Sequence, residues 1–154
     1  MKKLFFLVLI AILIIGCTIE SQPEDNLIDA QELIKLNADL IDVTKSQEVQ
    51  GINTNEKSNG VAKATYKDNQ YNLIATFENL PDPNGTDFYE GWIVRKGIRF
   101  NVISTGRAKK IEGKYVNEFQ TDQNLIDHDF YVLTIEPDDG DPAPAGHILE
   151  GKLK

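Results

Sequence analysis

Apolar and polar positions alternate through the middle of the chain. Ala62, Ala64 and Tyr66 alternate with Lys63, Thr65 and Lys67, and after Asp68-Asn69 the apolar set continues at Tyr71, Leu73, Ala75 and Phe77. A period of two sends neighbouring side chains to opposite faces of a strand, so this stretch predicts a β-hairpin with one face buried. Leu80-Pro81-Asp82-Pro83-Asn84-Gly85 is a dense turn signal that ends it. Phe88 to Val94 and Phe130 to Ile135 are apolar at both parities, the pattern of central strands covered on both faces. Arg99 to Ile103 and Lys114 to Phe119 are shorter strand candidates, punctuated by Gly97, Gly106 and Gly113. Pro137 to Gly146 excludes regular structure, and His147 to Leu153 makes a last strand. Eight or nine short strands with frequent turns predict an all-β fold, an antiparallel β-sandwich.

The N-terminus follows different rules. Lys2 and Lys3 precede Leu4 to Ile15, twelve residues without a charge or a proline. A membrane span needs ~20 residues, whereas this length suits the apolar region of a signal peptide. The run closes on Ile14-Ile15-Gly16-Cys17, which resembles the lipobox of bacterial lipoproteins. That resemblance implies cleavage before Cys17 and acylation of its thiol and of the new amino group. The alternatives are an ordinary signal peptide, or an uncleaved anchor with a chance cysteine. Thr18 to Asn26 reads as a tether, and Asp29 to Asn37 as two turns of helix capped by Asp29. The expected organisation is a signal peptide over 1–16, the lipidated Cys17 with tether and short helix over 17–38, and a β-sandwich domain over 39–154. Thr18 is not the Asp that retains lipoproteins in the inner membrane of some enterobacteria, so in a two-membrane host the expectation is the outer membrane.

Charge narrows the function classes. The chain has 16 basic and 24 acidic residues; loss of Lys2 and Lys3 leaves 14 against 24, so the net charge moves from −8 to −10. So acidic a domain lacks the footprint of a nucleic-acid binder. It is also repelled by anionic headgroups, which leaves the lipid rather than the protein surface as the expected membrane contact. Cys17 is the only Cys and Met1 the only Met, so no disulfide, thiolate metal site or blue-copper set is expected, and no cofactor is implied.

Four segments together carry a family likeness: Glu78-Asn79-Leu80-Pro81, Tyr89-Glu90-Gly91-Trp92-Ile93-Val94, Leu133-Thr134-Ile135-Glu136-Pro137 and Pro142-Ala143-Pro144. In order and spacing the chain from about residue 39 to 154 resembles the extracytoplasmic C-terminal domain of RskA-type anti-sigma-K factors. The resemblance implies a β-sandwich outside the cytoplasm. In those regulators a sigma-binding segment and a transmembrane helix come first; here a signal peptide stands there, without a Cys/His set for zinc, so fold and location are expected rather than anti-sigma activity.

Candidate chemistry is sparse. Asp127-His128-Asp129 offers a general base or metal ligand, against a solvent-exposed His before a strand. His147 reads as a polar strand-end residue. Asp138, Asp139 and Asp141 around Gly140 suit Ca²⁺ in donor type but not in EF-hand spacing, against a solvated acidic turn. Asn84-Gly85-Thr86 fits a glycosylation sequon but reads as turn chemistry. Trp92 reads as core, and Glu136 as a carboxylate accepting hydrogen bonds from a neighbouring loop. The expected function is therefore non-enzymatic: a lipid-anchored extracytoplasmic binding or sensory module recognising an envelope protein or ligand. Recognition is expected at two acidic, proline-containing loops, through Asp82 and Asp87 in one and Asp138, Asp139 and Asp141 in the other. The alternatives are an envelope hydrolase or metal-dependent enzyme using Asp127 and His128, or a purely structural envelope lipoprotein.

Overall fold

A computed structural model of the protein describes residues 32–47, 52 and 54–154. Cys17, the signal peptide and the tether lie outside the described residues. The described chain is antiparallel β throughout: β1 (Ile34–Asp42), a single helical turn α1 (Thr44–Gln47), β2 (Asn59–Lys67), β3 (Gln70–Glu78), β4 (Phe88–Arg95), β5 (Asn101–Arg107), β6 (Lys109–Ile111), β7 (Lys114–Thr121), β8 (Phe130–Glu136) and β9 (Gly146–Lys152). All nine strands form one sheet in the order β5-β4-β8-β9-β1-β2-β3-β7-β6. The two layers of the expected sandwich are two halves of this sheet, which curls into a nearly closed barrel.

The hairpin read from alternation is β2–β3. Its turn residues Asp68 and Asn69 have φ of 50° and 58°, the left-handed pair that a two-residue hairpin requires. Tyr71, Leu73, Ala75 and Phe77 all point inward and are buried. The helix expected over 29–37 is overturned where it can be seen. Ile34 to Asn37 belong to β1, which pairs along its length with β2, so the sheet includes residues upstream of 39. Leu36, Ala38 and Leu40 alternate with Asn37 and Asp39, so the period of two extends upstream, and ladder pairing overrides the weak local helical spacing.

The barrel closes without a full backbone ladder between β5 and β7. Instead Asn117 of β7 donates from Nδ2 to the carbonyls of Thr105 (3.2 Å) and Gly106 (2.8 Å) on β5. Its Oδ1 accepts from Thr105 Oγ1 (2.6 Å) and from Tyr131 Oη (2.9 Å). Ala108 carries the chain from β5 to β6 and donates its N–H to Tyr89 O (2.8 Å). The interior around this seam is filled by Phe77, Tyr89, Ile93, Tyr131, Leu133 and Ile148.

Register decides which loops share an end. Asn37 exchanges both backbone bonds with Lys154, Phe130 lies opposite Lys152, and Val94 opposite Phe130. The start of β1, the C-terminus and the β4–β5 hairpin tip therefore lie at one end. The loops 79–87 and 137–145 lie at the other, because Phe88 pairs with Glu136 and Ile135 with Gly146.

That far end is tied by Asp42, which ends β1. Its Oδ1 accepts from Thr44 N (3.0 Å) and Oγ1 (2.7 Å), and its Oδ2 from Thr54 Oγ1 (2.5 Å) and Ser58 N (3.2 Å). Burial pushes the Asp42 pKa up, but the bonds from Thr44, Thr54 and Ser58 outweigh it and hold the carboxyl below its ordinary 3.8. With a depressed folded pKa, the stabilisation is complete above the unfolded value and is lost as pH falls through the folded one. Melting temperature should therefore drop on acidification below about pH 4, and Asp42→Asn should flatten part of that drop. An acid profile identical in the variant would show that Asp42 does not couple folding to pH.

Tyr71 provides a second test. Its hydroxyl is the one buried side-chain polar atom without a partner among the described residues, and burial pushes its pKa up to about 12. Removing an unpaired buried hydroxyl relieves a desolvation cost of about 1 kcal/mol. Tyr71→Phe should thus leave the melting temperature unchanged or raise it, and a clear fall would reveal a partner for the hydroxyl.

Candidate functional site

The both-parity apolar strands β4 and β8 lie side by side, and their inward residues fill the barrel. Their outward residues need a second cover. Trp92, Val94 and Val132 are buried there as a cluster separate from the main core, with Val102 and Phe130 packed against them. Cross-strand pairing brings them together: Trp92 faces Val132, and Val94 lies between Phe130 and Val102. Trp92 is thus buried as expected, but on the outer face of the sheet rather than in the barrel core. Its Nε1 donates to Thr134 Oγ1 (2.8 Å), which donates in turn to Glu90 O (3.3 Å), so the ring is held in one orientation.

The cover is partial. From one side the loop after β8 folds back, Ala145 N donating to Glu136 Oε1 (2.9 Å) and Pro144 reaching the cluster. The expectation for Glu136 thus matches the geometry. From the other side Phe100, 68% exposed, and Lys96 overhang it, with Lys96 Nζ 3.1 Å from the centre of the Phe130 ring. On β9, His147 Nδ1 donates to Glu150 Oε1 (2.6 Å) and forms a polar wall. Between these edges remains a cleft of about 200 Å³ with an aromatic and aliphatic floor. On the opposite outer face Leu73, Ile74 and Phe119, edged by Lys63, Thr65 and Glu118, line a shallower and more open depression of about 540 Å³.

The sequence-expected site residues lie elsewhere. Both acidic loops are at the end away from the start of β1, and much of their charge is answered internally. Asp82 is paired with Lys110 and accepts from Tyr115 Oη (2.8 Å); the Lys110 bond, then the Tyr115 bond, hold its carboxyl below the ordinary range. Asp138 pairs with Arg107 (2.8 Å), whose guanidinium stacks 3.5 Å above the Phe88 ring centre. Asp139 and Asp141 fold their own loop, accepting from the backbone N–H of Asp141 and Ala143 (both 2.9 Å). Asp87 donates its N–H to Asn84 O (3.0 Å) within the other turn. Among the described residues no group of three His, Cys, Asp or Glu side chains is placed to hold a metal ion.

His128 corrects a second expectation. It is 3% exposed, not solvated. Its Nδ1 meets Asp127 Oδ1 (2.8 Å) and its Nε2 meets Asn101 Oδ1 (2.8 Å), while Arg95 grips Asp127 from β4 (2.6 Å). The Arg95 bond first, and the His128 bond with it, keep the Asp127 carboxyl below its ordinary range despite partial burial. The network braces the tip of the β4–β5 hairpin against the segment before β8.

Comparison with known protein families, curated proteins and solved structures finds no match to this chain. Among the described residues no helix is long and apolar enough to cross a membrane.

Proposed function

We propose that the protein is an extracytoplasmic lipoprotein, anchored through acylated Cys17, whose barrel is a non-catalytic binding module with its ligand seat in the Trp92–Phe130 cleft. The observation that carries the reading is the cleft itself, an apolar floor on the outside of a barrel whose interior is already packed. The cleft is smaller than the ~300–1,000 Å³ typical of sites for whole small molecules. It suits one aromatic or branched aliphatic side chain of an envelope protein, inserted between Phe100 and Pro144. The likeness to the outer domain of RskA-type anti-sigma-K factors belongs to this proposal, as fold and location without sigma binding. A hydrolase built on Asp127 and His128 finds less support, since both ring nitrogens of His128 already meet side-chain oxygens.

Trp92 is the only Trp, so its emission reports directly on the cleft. Short capped peptides bearing one Phe or Leu should shift that emission saturably, and Ala counterparts should not. Phe130→Ala should weaken the effect at least tenfold, about 1.4 kcal/mol. Equal responses to the Phe, Leu and Ala peptides would refute the cleft as a side-chain seat.

A further inference from the structure

The end of the barrel at which β1 starts also presents the tip of the β4–β5 hairpin. Arg95-Lys96-Gly97-Ile98-Arg99-Phe100 holds three cations and no acid in a chain with an excess of acidic residues. Ile98 is 106% exposed, the most exposed large apolar residue among those described, and Phe100 follows it. This exposure is built in rather than incidental. Gly97 turns the chain at φ 96°, Arg95 Nε donates to Arg99 O (2.7 Å) across the tip, and Asn101 is held by His128. A braced loop that holds an isoleucine out into water, with cations on either side, has the chemistry of an interfacial anchor: apolar at its apex, basic around it.

We propose that this hairpin tip contacts an anionic lipid surface, with Ile98 entering the boundary between headgroups and acyl chains while Lys96 and Arg99 pair with the headgroups. Net charge argued against such a contact, but Asp127 beside the tip is neutralised by Arg95 (2.6 Å), repulsion from more distant carboxylates is screened within about 10 Å, and Lys96 and Arg99 then set the local charge. The barrel then stands with this end on the bilayer and its acidic loops pointing away. The orientation rests on the lipid-anchor reading; the exposure and charge of the tip do not.

The test uses lipidated protein purified from membranes, carrying Ile98→Cys labelled with an apolar fluorophore and mixed with vesicles of phosphatidylcholine with or without phosphatidylglycerol. Acrylamide quenching of the label should fall several-fold with the anionic vesicles alone. The shielding should disappear in high salt and in a Lys96→Gln/Arg99→Gln background, while a label at Asp139→Cys stays open to the quencher. A residue-98 label quenched equally with and without anionic vesicles would overturn the proposal, as would equal shielding at 139. Failure of the anchor shows separately, as a reactive Cys17 thiol in unlabelled wild-type protein.

Discussion

Gly91→Ala is expected to destabilise the barrel by more than about 4 kcal/mol, a large part of the 5–15 kcal/mol typical of a folded domain. A Cβ built on Gly91 would collide with Tyr131 Oη, Asn117 Oδ1 and Thr105 Oγ1 at once. Those three atoms are hydrogen-bonded to one another at the barrel seam. They have no room to retreat, because Asn117 and Tyr131 are fully buried. The methyl group must therefore break the network or open the seam, and either leaves buried polar groups unpaired. Loss of near-ultraviolet circular dichroism, or a denaturant midpoint shifted to near zero, would report it. A variant of wild-type stability would show that the seam is looser than these contacts imply.

Asn117→Ala approaches the same seam from the other side and should cost about 3–5 kcal/mol. It removes two donors to the β5 carbonyls and one acceptor shared by Thr105 and Tyr131. Asn117→Asp separates this bonding role from simple packing. The carboxylate would keep the acceptor but face the carbonyls of Thr105 and Gly106 with no cation in the network, so its folded pKa must rise. A raised folded pKa gives stability that is present at low pH and lost as pH increases through the folded value. The aspartate variant should therefore gain stability relative to wild type as the solution is acidified. A difference from wild type that is independent of pH would mean that Asn117 acts through its volume alone.

How far the fold was legible followed the range of the interactions that decide it. The β2–β3 hairpin could be read directly, because its alternation and its Asp68-Asn69 turn are local. Strands β4 and β8 were legible as apolar on both faces. What covers their outer face was not, since the Trp92–Thr134 bond and the Phe100 and Pro144 edges join segments distant in sequence. At β1, the spacing of Ala30, Leu33, Ile34 and Leu36 suggested helix, while pairing with β2 lay beyond a local window. His128 looked solvated because charged neighbours flank it; instead its ring is held between Asp127 and Asn101, the latter 27 residues away in sequence. Asn117 gave no signal, as a single polar residue on a strand is ordinary until the sheet curls and sets it against β5. The acidic loops were legible as turns, but the cations that answer Asp138 and Asp82 are Arg107 at the end of β5 and Lys110 in β6.

The most direct test of binding at the cleft is photo-crosslinking in intact cells. A photoreactive residue at Pro144, on the edge of the cleft, should yield one discrete protein adduct. The same residue at Ile74, exposed on the opposite face of the barrel, should yield none, and Phe130→Ala should remove the Pro144 adduct without lowering the amount of protein. Equal adducts from both positions, or a Pro144 adduct indifferent to Phe130, would contradict the placement of binding in the Trp92–Phe130 cleft.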